Sequence, residues 1–198
     1  MPPSFIETIR IENGEVVDLE RHQTRFDSTR AEFFPGARRL LLADVLPSDF
    51  PRIGRVKWRV LYGETVEDSR AESYVPRKIR TLRIVEADFD YARKSADRRE
   101  LDACFARRGN ADEVLISRNG MLTDATFANV ALEIGGRLLT PRRPLLKGTC
   151  RERLLRAGTI TEADLSAADA FRAERVAIFN AMLPLGEILL PASAMLEA

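Results

Sequence analysis

EVLISRNGMLTDATFANVALEIGGRLLT, residues 113–140, sets apolar runs against two tight-turn signals and so decides the fold class. Asn119-Gly120 accepts the positive φ angles of a two-residue hairpin turn, which predicts that Glu113–Ser117 pairs with Met121–Thr123. Gly135-Gly136 predicts a second hairpin, Val130–Ile134 with Arg137–Thr140. Between them stands LTDATFANVAL, residues 122–132. There Asp124, Thr123, Thr126 and Asn129 interrupt a segment that otherwise reads as core. An Asx-type turn that caps the next segment would account for them. So would a carboxylate with a task.

The same pattern extends outward. Ile6–Ile11, Asn13-Gly14 and Val16–Leu19 read as a further hairpin, and Arg55–Tyr62, Thr81–Val85 and Val176–Asn180 as further strands. Helices fill the gaps. Glu20–Phe34 aims Phe26, Phe33 and Phe34 at a core and closes at Pro35-Gly36. Arg98–Arg108 repeats Leu101, Cys104 and Phe105 at helical spacing before Gly109, and Thr149–Ala157 ends at Gly158. Thr161–Leu165 is expected to open a short helix. Strands and helices in clusters predict an α+β fold of two small α/β domains with mostly antiparallel sheet. The charged segment EADFDYARKSAD, residues 86–97, marks the joint, giving an N-terminal domain of 1–88 and a C-terminal domain of 89–198.

Composition narrows the function classes. Hydrophobic residues make up 45% of 198 and charged residues 31%, which is ordinary for a globular protein. Lys+Arg number 31 against 30 Asp+Glu, so no basic excess recruits nucleic acid or an anionic membrane. Cys104, Cys150 and the single His22 stand in no metal-ligand spacing, and no metal site is expected. The start, Met-Pro-Pro-Ser, is unlike a secretory leader and no window is apolar enough to span a bilayer, so the cytoplasm is the expected compartment.

Several residues have chemical potential and each also has a plain reading. LLKGTCRERLL, residues 145–155, places Gly148 before a helix whose first N–H groups suit a phosphate, or simply begins a helix. In VKWRVLYG, residues 56–63, Val56, Trp58 and Val60 share one strand face, and Lys57 and Arg59 share the other. That second face is either solvated or a wall that holds an anion. Lys94, one of four lysines, is a linker residue or, if desolvated, a Schiff-base former. Asp124 either caps a turn or keeps a pyridine nitrogen protonated, as pyridoxal phosphate requires. Cys150 is read as a packed side chain and His22 as a structural hydrogen-bonding residue.

Taken in order, these stretches resemble the class IV aminotransferases, the fold-type IV pyridoxal-phosphate enzymes. FIETIRIENGEVVDLERHQTRF resembles the opening hairpin and His-x-x-Arg helix start of that family, here His22 and Arg25. KWRVLYG resembles the strand carrying its phosphate-binding arginine, which implies that role for Arg59. YARKSADRREL resembles its Schiff-base segment, which implies that Lys94 carries pyridoxal 5′-phosphate and moves the substrate proton. NADEVLISRNGMLTDATFANVAL resembles the stretch that supplies the acid at the pyridine nitrogen, here Asp124 in place of the commoner Glu. PLLKGTCRERLL resembles a second phosphate clamp, through the backbone amides of Thr149 and Cys150. FNAMLPLGEI is similar to the ending of the aminodeoxychorismate lyase branch and implies that Asn180 lies near the phosphate.

The resemblance implies a cofactor site between the two domains, a small-molecule amino substrate and a homodimer. It implies two reactions: release of pyruvate from 4-amino-4-deoxychorismate to give p-aminobenzoate, a folate precursor, or transamination of branched-chain or D-amino acids. Members of the family carry a strand ahead of the first hairpin, where this sequence begins close to it. A shortened, non-catalytic relative is the third reading.

Overall fold

The computed structural model describes residues 3–196, which form two compact units. The first comprises residues 3–76 with Arg93–Asp97, and the second Arg77–Ala92 with residues 98–196. Lys94 thus belongs to the first unit and Asp124 to the second.

The first unit is an antiparallel sheet beside one helix. Its strands are β1 (Phe5–Glu12), β2 (Glu15–Val16), β3 (Arg55–Tyr62) and β4 (Val66–Ser73), in the order β2-β1-β3-β4. Asn13 and Gly14 take φ of 50° and 87°, the left-handed angles that the turn between β1 and β2 demands. Strand β3 alternates as expected, with Val56, Trp58, Val60 and Tyr62 buried. They join Phe5, Ile9 and Ile11 of β1 and Phe26 of helix α1 (Leu19–Phe33) in one core. Phe33 is 40% exposed rather than buried, because it ends the helix, but its ring still packs 4.8 Å from that of Phe5.

Strand β4, VEDSRAES, has no apolar alternation that would reveal it. Backbone pairing to β3 makes it a strand, and its charges suit an exposed sheet edge. Residues 94–96 return to the start of β1. The Ile6 N–H donates to Lys94 O (2.9 Å), Ala96 N–H to Ser4 O (2.8 Å), and Phe5 stands opposite Ser95.

The second unit has two sheets. One is β13-β5-β6-β7, built from β5 (Leu82–Glu86), β6 (Glu113–Arg118), β7 (Met121–Ala125) and β13 (Met195–Leu196). The other is β10-β9-β8-β11-β12, built from β8 (Asn129–Ile134), β9 (Arg137–Pro141), β10 (Thr161–Ala163), β11 (Arg175–Phe179) and β12 (Ile188–Pro191). Both predicted hairpins form, β6–β7 and β8–β9. Three pairs are parallel: β5 with β6, β13 with β5, and β10 with β9. Helices α2 (Arg99–Ala106) and α3 (Thr149–Arg156) bury Leu101 and Cys104, and Cys150 and Leu154, respectively.

Thr161–Leu165 does not open a helix. Thr161–Ala163 adds to the sheet edge in register with Leu139–Pro141, and helix α4 (Ala167–Arg172) begins only after Ser166. Ser166 and Asp169 form a reciprocal capping box that fixes this start.

The β6–β7 hairpin contains an irregularity that bears on the site. Ser117 pairs with Leu122, yet Leu115 pairs with Ala125, so β7 spends one residue more than β6 over that span. The Thr123 hydroxyl donates to Ile116 O at 2.8 Å and stitches the bulge. The fold is therefore the mixed α and β arrangement expected, mostly antiparallel. Among the described residues no helix is long and apolar enough to cross a membrane.

Candidate active site

Within the first unit, the register of β1 organises the charged face. Thr8 pairs with Arg59 and Arg10 with Lys57, so by strand alternation Arg59 shares its face with Ile6 and Thr8. Lys94 stands at the register position of Ile6, held through its carbonyl. Arg59 Nη1 lies 3.9 Å from Asp68 Oδ2, a loose ion pair with both side chains part-exposed, whereas Lys57 Nζ sits 2.6 Å from Glu72. Such exposed pairing leaves Arg59 able to exchange Asp68 for a stronger anion.

The opposite face of β1 holds a buried charged cluster. Glu7 is fully buried, with Arg25 Nε and Nη2 donating to its two oxygens at 2.8 and 2.6 Å. Burial opposes ionisation, but Arg25 and His22 outweigh it and hold the Glu7 carboxyl down at about 2. His22, also fully buried, is pushed below its ordinary value by desolvation and stays neutral. Its Nδ1–H therefore donates to Glu7 Oε2, at 2.6 Å. The structural reading of His22 agrees with this geometry. The sequence motifs do not name Glu7, although a lone carboxylate among Phe5, Ile9 and Ile11 on a buried strand face is a legible signal that a cation lies opposite.

Within the second unit, Asp124 is 4% exposed. Asn129 Nδ2 donates to its Oδ1 at 2.7 Å and the Leu146 N–H to its Oδ2 at 2.8 Å. Desolvation is the largest influence and pushes the carboxyl up to about 7, because these neutral donors and the charge of Arg151 offset it only in part. A carboxylate has about four acceptor positions, so capacity for a further donor is left. A cation placed there would supply the missing stabilisation.

The polar residues around Asp124 are scaffolding. The Thr126 hydroxyl donates to Glu113 Oε1 at 2.6 Å, and buried Glu113 also receives Arg77 Nη2 at 2.6 Å. Arg77 lies over the Phe127 ring at 4.5 Å, and Arg98 Nη2 donates to Thr126 O at 2.9 Å. Neither Glu113 nor Arg77 stands out in the sequence, because their pairing joins a loop to a strand far along the chain.

Helix α3 starts where expected. Gly148 is its N-cap, with Glu152 N–H bonding to Gly148 O at 2.9 Å, and Thr149 and Cys150 fill its first turn. N–H groups of a first turn project from the helix end and favour an anion. The Cys150 side chain packs with Ala131, Leu154, Ile160, Ala177 and Phe179. Asn180 closes the turn after β11: its Oδ1 accepts from Met182 and Leu183 N–H (2.8 and 2.9 Å), and its Nδ2 donates to Phe127 O at 3.1 Å.

The donor set fits pyridoxal phosphate. Asp124 is an acid that lacks a cationic partner strong enough for its burial, the start of α3 suits a phosphate, and Asn129 touches both. In the first unit, Arg59 is a weakly engaged cation on the face whose register Lys94 joins.

Residues 66–189 match the model of the amino-transferase class IV family. A Haemophilus influenzae protein of uncharacterised function is 31% identical over 186 residues, covering 92% of this chain and 98% of that one. A crystal structure from Haemophilus somnus 129PT, provisionally assigned as a 4-amino-4-deoxychorismate lyase, is 28% identical with a TM-score of 0.83, covering 93% of this chain and 99% of that one. A second, provisionally assigned as an amino-acid aminotransferase from Mesorhizobium loti, is 25% identical with a TM-score of 0.79, covering 98% and 100%. The chain belongs to the amino-transferase class IV family.

Proposed function

We propose that the chain is a pyridoxal-phosphate-dependent enzyme that acts as a 4-amino-4-deoxychorismate lyase. The observation that carries the cofactor is the buried Asp124, its carboxyl raised to about 7 and clamped in place by neutral donors. When bound, the cofactor supplies an electron sink for the pair released at the substrate carbon bearing the amino group. Lys94 Nζ would hold the cofactor and would take up the proton leaving that carbon. Asp124 holds the ring nitrogen in its protonated form. Arg59, the first-turn amides of Thr149 and Cys150, and the turn closed by Asn180 bind and orient the phosphate. The lyase reading is supported by FNAMLP at residues 179–184 and by likeness to the Haemophilus somnus protein. Likeness to the Mesorhizobium loti protein supports an amino-acid aminotransferase as the second reading. A homodimer in the cytoplasm completes the proposal, the assembly to be checked by light scattering.

Purified protein mixed with pyridoxal phosphate is expected to show a visible absorbance band. Borohydride is expected to fix a pyridoxyl group on the Lys94 peptide, and Lys94→Ala to abolish both signals. Absence of both signals in the parent protein would sink the cofactor reading and favour a non-catalytic relative. Given the band, p-aminobenzoate release supports the lyase, and keto-acid formation from an amino-acid panel supports the aminotransferase.

A further inference from the structure

Asn129 opens β8, and its side chain is fully committed in two directions. Its Nδ2 donates both to Asp124 Oδ1 (2.7 Å) and to Leu146 O (2.8 Å). Leu146 N–H in turn donates to Asp124 Oδ2 (2.8 Å). Three hydrogen bonds thus close a ring through Asp124, Asn129 and the backbone of Leu146, two residues ahead of the N-cap of α3. On its other side, Asn129 Oδ1 lies against Gly148. A β-carbon at Gly148 would overlap Oδ1 and stand 3.3 Å from Asn129 Cγ. The φ of Gly148 is −70°, open to any residue, so the space taken by Asn129 is what requires glycine there.

We propose that Asn129 is a positioning residue that couples Asp124 to the start of α3, so that the acid and the helix start cannot be displaced independently. The coupling itself rests on contacts within the second unit. Its use, setting the separation of a ring-nitrogen acid from a phosphate cradle, rests on the function proposed above. Two physical points favour a positioning role over simple support. Both Asn129 bonds engage the elements to which a ligand would bind. The amide also has no donor to spare, so it acts through Asp124 and Leu146 rather than on a ligand. Arg151, on α3, is the charged side chain that acts on Asp124, and α3 moves with Gly148.

The test is a double-mutant cycle on the full chain with Asn129→Ala, Gly148→Ala and both together; Asn129→Ser replaces Asn129→Ala if the latter does not fold. The first readout is the carboxyl titration of Asp124 by carbon NMR without cofactor, assigned with Asp124→Asn. Each single variant is expected to move that titration upward by about one pH unit, the worth of one hydrogen bond to a charged group. The double variant is expected to match Asn129→Ala, because removal of the amide leaves the new β-carbon nothing to displace. The second readout is the affinity for pyridoxamine 5′-phosphate, which needs no bond to Lys94. Each single variant is expected to lower it about tenfold or more, again without addition in the double.

Shifts that add, or a Gly148→Ala variant that leaves the Asp124 titration unchanged, would overturn the coupling. If the titrations couple but the parent protein does not bind pyridoxamine 5′-phosphate, the coupling stands and the proposed function falls. If the parent binds it and the titrations add, the proposed function stands and the coupling falls.

Discussion

Glu7 Oε2 lies 2.6 Å from His22 Nδ1, and both side chains are fully buried. The pair, with Arg25, ties strand β1 to helix α1 by charge where the surrounding contacts are apolar. Removing one member of such a group leaves the others buried and mismatched. Glu7→Gln is therefore expected to lower the unfolding free energy by about 3 kcal/mol or more. Urea titration followed by circular dichroism at pH 7 checks it, and a loss below about 1 kcal/mol would refute the tie.

The same pair predicts acid lability with a defined sign. Glu7 falls from 4.5 to about 2 on folding, so its stabilisation is complete above 4.5 and fades as pH drops toward 2. It is on the order of 3 kcal/mol in size. His22 is also lowered on folding, from 6.5, and so removes stability as pH falls below that value. The advantage of the parent protein over Glu7→Gln is expected to shrink between pH 4.5 and pH 2. A constant difference across that range would contradict the assignment.

Asp124 has the opposite sign. Its carboxyl rises from 3.8 to about 7 on folding, so its contribution is fully present below 3.8 and is lost as pH rises through 7. Above pH 7 the protein without cofactor carries a buried anion at a cost on the order of 4 kcal/mol. Asp124→Asn is expected to be less stable than the parent at pH 4, where it sets an amide N–H against the donors of Asn129 and Leu146. It should gain on the parent steadily toward pH 8. Parallel stability curves would show that Asp124 titrates normally.

Arg77 tests the support beneath the turn at residues 126–128. Arg77→Ala removes the partner of buried Glu113 and the cation over Phe127. With Arg77 half exposed, we expect a loss of about 1–2 kcal/mol. Arg77→Lys, which keeps the charge but not the planar stack, is expected to lose about half as much. Equal losses in the two variants would show that the ion pair adds nothing.

Arg59 and Lys57 share a face and a sign, and differ in engagement. Arg59→Gln is expected to weaken pyridoxamine 5′-phosphate binding about tenfold or more. The stability change should stay within about 0.5 kcal/mol, since the pair with Asp68 is loose and exposed. Lys57→Gln, which releases Glu72 instead, should leave the affinity unchanged. Isothermal calorimetry distinguishes the two, and equal effects would refute Arg59 as a phosphate ligand.

Much of the fold is legible because its signals are local. Asn-Gly and Gly-Gly pairs mark the hairpins, and the alternation of Val56, Trp58, Val60 and Tyr62 marks β3 without reference to any other segment. What stays hidden depends on partners distant in sequence. Val66–Ser73 is a strand because β3 lies beside it, and Thr161–Ala163 because Leu139–Pro141 offers an edge. The site divides along the same line. Asp124 and Gly148 stand out as residue types in unusual places, whereas the contact that makes Gly148 obligatory comes from Asn129, nineteen positions earlier at the start of β8. Glu7 was within reach, since it breaks an apolar face, but naming Arg25 and His22 as its partners needs the packing of α1 on β1.

The irregularity in the β6–β7 hairpin has a consequence best put as parity. A strand assigns odd and even positions to opposite faces, and Met121–Leu122 and Ala125 obey different assignments because one extra residue lies between them. Thr123 and Asp124 occupy the point where parity changes, so the acid is placed by a counting error in the ladder rather than by the alternation of either half. Deleting Thr123 would remove the extra residue of β7 and is expected to take the carboxylate off its bonds to Asn129 and Leu146.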